Sequence, residues 1–280
     1  MQLQSALTSS RKMTKAGRRL LREVGNIYRT AGAAPAARFA GAIVRNAKEV
    51  VAAGNLSPAD RAMAPGRYAF QVGDRTVLVD GSAFAGAREM YGRGVYFALP
   101  GFHLRPTDVA LDLGANVGLF SVAAAILARR VIAVEAQSGF IEEIRRNAAM
   151  NGCADKIAIE HGLLGPGKGV FADPHRLHTA SHYGTTPPAI TVPELLEKHA
   201  IDRIGFLKCD IEGAEFEVFR RGETWLSKVD RVAMEVHPEF GDPEELASVM
   251  REHGLGVQLL NNDLEKVSRL TETGYLFASR

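Results

Sequence analysis

The chain has 280 residues, enough for one large α/β domain with an extension or for two smaller units. A hydrophobic share of 46% and a charged share of 24% are those of an ordinary globular protein, which excludes a disordered or fibrous chain. The two cysteines, Cys153 and Cys209, exclude a disulfide framework and a C-x-x-C metal pair and fit a reducing cytoplasm. No apolar run reaches the roughly 20 residues of a membrane span, and the first residues lack a secretory apolar core.

Residues 1–65 are alanine-rich and read as helical, with Leu20, Leu21, Val24, Ile27 and Tyr28 at helical spacing. A second helix is expected from Ala36 to Ala53, ended by Gly54-Asn55 and restarted after Ser57-Pro58. This segment is strongly basic, with 11 Lys/Arg against 3 Asp/Glu, a balance of +8 that leaves −6 for the rest of a chain of net charge +2. Such an arm suits nucleic acid, anionic lipid or an acidic partner. It has few aromatics for base stacking and no nucleic-acid motif, so the favoured reading is a solvated helical arm. The arm then packs on its own domain or joins a second copy as a homodimer.

From residue 66 the pattern changes. Tyr68–Val72 and Arg75–Val79 read as a hairpin around Gly73-Asp74, followed by a short helix and loop over Arg88–Phe97. Beyond Asp108 strands and helices alternate. Strands are expected at Val109–Gly114, Val131–Glu135, Ile157–His161, Ile204–Asp210 and Arg231–Val236, with helices at Val117–Arg129, Gly139–Met150, Val192–His199, Ala214–Arg221 and Pro243–His253. Gly256–Leu260 and Tyr275–Ala278 close the chain as an antiparallel pair. This order predicts an α/β fold with a mostly parallel sheet covered on both faces, and a ligand at the carboxyl ends of its strands. The expected domains are a helical extension, 1–65, and an α/β domain, 66–280, with a hairpin lead-in at 66–107 and a core at 108–280.

The first alternating unit carries the chemistry. Val109 to Leu113 is apolar except for Asp112; Gly114-Ala115-Asn116-Val117-Gly118 then turns into a helix, and the next strand ends in Glu135. That is a nucleotide-binding βαβ layout, with Glu135 placed to accept hydrogen bonds from ribose hydroxyls. A dinucleotide site needs G-x-G-x-x-G so that pyrophosphate can approach bare backbone. Here Asn116 fills the middle glycine position and Asp112 would repel a pyrophosphate. Both suit a nucleoside ligand with a positive sulfonium and no phosphate, such as S-adenosylmethionine. The bland alternatives are a plain strand-to-helix turn for the glycines and a helix cap for Glu135. Farther on, Lys208-Cys209-Asp210-Ile211-Glu212 and Glu235-Val236-His237 bring polar groups to the same edge, where unpaired charge is costly without a partner or ligand.

Leu111 to Ser121, Val134-Glu135-Ala136, Asn147 with Asn151-Gly152, Lys208 to Glu215, Glu235 to Pro238 and the lead-in Gly94-Val95-Tyr96-Phe97 together resemble the FkbM family of S-adenosylmethionine-dependent methyltransferases. The likeness spans about residues 90 to 240. It departs at Ala136-Gln137, where the family has Pro and a polar residue, and at Cys209, where it has an aliphatic one. The resemblance implies a seven-stranded Rossmann-like class I methyltransferase sheet, S-adenosylmethionine as cofactor, and methyl transfer to a hydroxyl of a sugar or natural product. Asp112, Gly114, Ala115, Asn116 and Gly118 are then expected to cradle the cofactor, with Glu135 and Ala136 at the ribose and His161-Gly162 near the adenine. Asp210 is expected beside the transferred methyl, to orient the cofactor's amino group or take the acceptor's proton; His237 is the alternative base, and Glu212 completes the catalytic set.

Asp210, Glu212, Glu235 and His237 together are also a candidate ligand set for a divalent cation, and metal independence is the favoured reading. Lys208 and Glu215 read as structural ion-pair partners. His175, His178 and His182 fall in a long loop read as a substrate lid, where Phe171 and Tyr183, facing Tyr96 and Phe102, would stack on a sugar. The competing functions are N-methylation, a nucleic-acid-associated methyltransferase using the basic arm, a non-catalytic nucleoside sensor, and a Rossmann oxidoreductase, which Asp112 and Asn116 disfavour.

Overall fold

The computed structural model describes residues 2–165 and 187–280, with side chains from residue 17 onward. The histidines of the long loop, with Phe171 and Tyr183, lie outside the described residues. The chain forms two compact units, Met1–Gly94 and Val95–Arg280.

In the first unit, α1 (Gln2–Ala31) ends at Gly32, whose φ of 91° suits glycine, and α2 (Ala33–Arg45) follows. The single helix expected over 36–53 is two helices. Asn46 separates α2 from α3 (Ala47–Ala53), and its side-chain amide donates to the Ala42 carbonyl at 2.7 Å, a local bond that competes with helix continuation. After α4 (Ser57–Arg61) come β1 (Arg67–Val72) and β2 (Arg75–Asp80), paired Val72 to Arg75 across Gly73-Asp74, with Gly73 at φ 62°. The unit closes with α5 (Phe84–Ala87) and a π-helical turn at Arg88–Arg93. The hairpin, grouped with the second domain in the sequence reading, therefore belongs to the helical unit. Phe39, Tyr68, Phe70 and Tyr91 pack around Phe84 and its neighbours. Beneath them the buried carboxylates of Glu23 and Asp60 receive the Arg88 guanidinium at 2.7 and 2.9 Å. Unpaired, either carboxylate would be costly to bury.

The second unit is the three-layer sheet that the alternation predicted. Its strands are β3 (Val109–Leu113), β4 (Arg130–Glu135), β5 (Ile157–His161), β8 (Phe206–Cys209), β9 (Arg231–Val236), β10 (Gly256–Asn261), β11 (Lys266–Val267) and β12 (Gly274–Ser279). Two further short strands, β6 (Leu163–Leu164) and β7 (Ala189–Ile190), pair with each other apart from it. The order across the main sheet is β11-β10-β12-β9-β8-β3-β4-β5. Seven strands match the expected methyltransferase sheet, and β11 adds an eighth, two-residue edge strand with too little pattern to be read from sequence. β5, β4, β3, β8 and β9 run parallel, and β12 inserts antiparallel between β9 and β10.

Strand alternation sorts the two faces. Leu111, Leu113, Leu207, Cys209, Val232, Met234 and Leu276 share one apolar core with Leu195 and Leu196 of α8 (Val192–Lys198) and Leu246 and Met250 of α10 (Pro243–Glu252). Asp112, Lys208 and Phe206 point to the opposite face, which α6 (Leu119–Leu127) and α7 (Ser138–Met150) cover. There Phe120 packs on Phe97 and Phe206, and Phe102 on Phe277. Both Tyr96 and Phe102 are buried, so the expectation that they stack on a sugar ring does not hold.

Candidate active site

The predicted site residues gather where β3, β4, β5, β8 and β9 end, the edge at which parallel α/β sheets bind ligands. The turn after β3 is shaped by backbone. Gly114 (φ 77°) and Asn116 (φ 51°) are both left-handed, and the Gly114 and Ala115 N–H groups donate to the Val134 carbonyl at 3.0 and 2.9 Å. Asn116 tolerates this conformation because its side-chain oxygen accepts from the Val117 N–H at 2.8 Å. A Cβ on Gly114 would sit 1.7 Å from the Asp210 carbonyl oxygen, so this glycine lets the ends of β3 and β8 meet. Gly118 likewise makes room for Ile144 of α7, 3.0 Å from an added Cβ. Both glycines thus serve packing of the protein on itself.

Asp112 departs from the sequence reading. It is fully enclosed, accepts from the Ser121 hydroxyl at 2.6 Å and lies 3.1 Å from the Lys208 ammonium. It therefore braces the turn from below and does not face a ligand. With its charge met by Lys208, its supposed repulsion of pyrophosphate is also weakened. Lys208 is the keystone of this cluster. It donates to the Gly114 carbonyl at 2.6 Å, reaches within 4.0 Å of Asp210 and lies over the Tyr96 ring at 5.5 Å. Burial alone would drive the proton off this lysine, but Asp112 and then Asp210 outweigh it, holding the ammonium above its ordinary range.

Glu135 faces the turn from β4. One oxygen accepts from the Asn116 N–H at 2.6 Å and the other from the Gln137 N–H at 2.8 Å. Burial raises its proton affinity, and those two bonds oppose the rise. The fixed carboxylate keeps lone pairs for a further donor such as a diol. Beside it the His161 ring meets the Ala136 carbonyl at 3.0 Å, and the Gly162 N–H donates to the Glu135 carbonyl at 3.0 Å. Ala136 at the end of β4 and His161 and Gly162 at the end of β5 thus lie next to Glu135.

Across the edge, Asp210 is 29% exposed and Glu212 52% exposed, so both present carboxylate to solvent. Glu212 (φ 54°) and Gly213 (φ 103°) make a left-handed turn packed on the Phe240 ring, and the helix expected from Ala214 is confined to α9 (Glu215–Val218). His237, just past β9, is buried; Nδ1 lies 3.1 Å from Glu215 and Nε2 3.6 Å from Glu212. Burial opposes its charge, but the bond to Glu215 and the surrounding carboxylates prevail and lift it to about 10. At neutral pH it is an imidazolium, with no lone pair to act as a base. Among the described residues no group of three or more His, Cys, Asp and Glu is arranged to hold a metal ion.

Tyr96 joins this acidic edge from outside the strand-end motifs. Its hydroxyl donates to Asp210 Oδ2 at 3.0 Å and lies 3.3 Å from Glu235 Oε2. Burial and then the two acids keep it protonated well beyond the ordinary phenol range. The period-2 register that places Asp112, Lys208 and Glu235 on one face was available in sequence; the arrival of Tyr96 from the lead-in segment was not.

Comparison with known proteins supplies the context. A family profile described as the methyltransferase FkbM domain matches residues 112–255. A hexuronic acid methyltransferase, AglP, from Haloferax volcanii is 26% identical over 164 residues, covering 56% of this chain and 67% of AglP. Among solved structures, the FkbM methyltransferase from Methylobacillus flagellatus KT aligns at 14% identity and a TM-score of 0.44, over 84% of this chain and 59% of that one. A precorrin-6y C5,15-methyltransferase from Geobacter metallireducens GS-15 aligns at 13% identity and a TM-score of 0.41, over 64% of this chain and 82% of its own.

Proposed function

The chain belongs to the FkbM methyltransferase family, and on that premise we propose that it methylates a hydroxyl oxygen of a sugar or small natural product. Its methyl donor is S-adenosylmethionine. Bound there, the donor supplies a methyl group on positive sulfur, already activated for in-line displacement, so the protein's work is positioning and proton removal. The observation that carries the reading is the acidic edge of the sheet, with partly exposed Asp210 and Glu212 on one side and the fixed Glu135 carboxylate across from them. Such an edge favours a cationic, phosphate-free ligand.

In this proposal Glu135 accepts the ribose diol, the Gly114–Gly118 turn supports the donor's backbone-facing side, and Ala136, His161 and Gly162 flank its base. Asp210 takes the proton of the acceptor hydroxyl. This carboxylate is held by the Tyr96 hydroxyl and remains partly open to solvent. Glu212 borders the acceptor. His237, charged by its carboxylate neighbours, fixes Glu215 and Glu212 in place and does not act as a base. AglP supports a sugar acceptor by its own substrate class. The test is transfer from radiolabelled S-adenosylmethionine to a panel of neutral glycosides, uronic acids and amines. Label on hydroxyl oxygens supports the proposal; label on amines alone, or none despite donor binding, sinks it.

A further inference from the structure

The Tyr96 hydroxyl has one proton and two carboxylates within reach, Asp210 at 3.0 Å and Glu235 at 3.3 Å. It can donate to only one at a time. All three groups belong to the same compact unit, and Tyr96 is enclosed, with its ring wedged between Phe120 and Tyr275 and beneath the Lys208 ammonium. Aromatic packing therefore fixes where the oxygen lies, and what remains free is the direction of its O–H bond. Asp210 Oδ2 is engaged by this hydroxyl, and Lys208 stands 4.0 Å from the same oxygen.

We infer that Tyr96 is a positioning residue whose single proton, contested by Asp210 and Glu235, sets how strongly Asp210 draws a proton from the acceptor. The inference rests on the assignment of Asp210 as the base. While Asp210 is ionised the hydroxyl donates to it, holding the carboxylate plane and stabilising its charge. Once Asp210 has taken the acceptor's proton its charge is gone, and Glu235 becomes the better acceptor. The hydroxyl turns to it, and no covalent bond of Tyr96 is broken. Glu235 thus acts as a counterweight: its charge disfavours ionised Asp210 and competes for the donor, against a background in which Lys208 and charged His237 favour ionised Asp210 and Glu212 disfavours it.

Two substitutions move the balance in opposite directions. Tyr96→Phe removes the donor, so the acid limb of kcat/KM against pH should move up by roughly one unit, a tenfold change in proton affinity of the size expected for one charge-assisted hydrogen bond. Glu235→Gln removes the competing charge, so the same limb should move down. A packing role would shift neither limb, or both the same way. Donor binding by calorimetry and melting temperature report whether each variant folds, and isotope-edited infrared titration of the aspartate carboxylates, in protein without acceptor, reads the same displacements without turnover. Opposite displacements in the infrared titration support the inference even if no hydroxyl acceptor is found, a result that would count against the proposed function alone. Unmoved or parallel displacements in folded variants overturn it.

Discussion

Replacing Lys208 with methionine is the sharpest test of how the turn after β3 is held. The lysine is 4% exposed at its side chain, and its ammonium meets fully enclosed Asp112 at 3.1 Å and the Gly114 carbonyl at 2.6 Å. Methionine preserves most of the volume and removes the charge, leaving the Asp112 carboxylate buried with the Ser121 hydroxyl as its remaining side-chain bond. Removing one partner of a buried ion pair costs about 3–5 kcal/mol. At roughly 2–4 °C per kcal/mol for a domain of this size, the unit spanning Val95–Arg280 should melt about 6–20 °C lower. Adding Asp112→Asn should restore part of the loss, with a coupling of about 1–3 kcal/mol in the double-mutant cycle. Because folding raises the proton affinity of Lys208, its contribution is intact below the ordinary lysine value of 10.5 and is lost as pH climbs through the folded value. The gap between wild type and Lys208→Met should therefore be flat from pH 6 to 9 and close only in alkali above the ordinary lysine value of 10.5. Denaturant unfolding across that range measures it; a loss under about 1 kcal/mol at pH 7 would refute the claim that this lysine braces the turn.

Further outcomes follow from neighbouring geometry. His237 is lifted to about 10, so its ion-pair contribution is full below pH 6.5 and drains away between 6.5 and about 10; the stability advantage over His237→Gln should narrow by about 5 kcal/mol across that window in urea titrations. Glu135→Gln places an amide N–H against one of two backbone donors, and should weaken S-adenosylmethionine binding at least about tenfold by calorimetry while lowering the melting temperature by a few degrees. In Gly114→Ala the new methyl collides with the Asp210 carbonyl at a left-handed φ, so donor affinity should fall by more than about tenfold; unchanged affinity in folded protein would show that the β3 and β8 ends part easily.

Much of this protein was legible in its sequence because its signals are local. The near-continuous apolar runs at Val109–Leu113 and Arg231–Val236, the glycine turn after β3 and the Asp242 cap of α10, which accepts from the Glu244 N–H at 3.1 Å, each encode their structure within a few residues. The acidic strand ends at Glu135, Asp210 and Glu212 could likewise be placed at one edge from topology alone. What sequence left open were the partners. Asp112 reads as a ligand contact until Lys208, 96 positions later, is seen to neutralise it. His237 reads as a base until Glu215 is found 3.1 Å from Nδ1. Tyr96 reads as a stacking platform until folding encloses its ring and brings its hydroxyl to Asp210, 114 positions away. Strand register fixes which face a side chain takes. The charge it carries and the bond it makes depend on burial and on groups distant in the chain, and those are set only when the sheet closes.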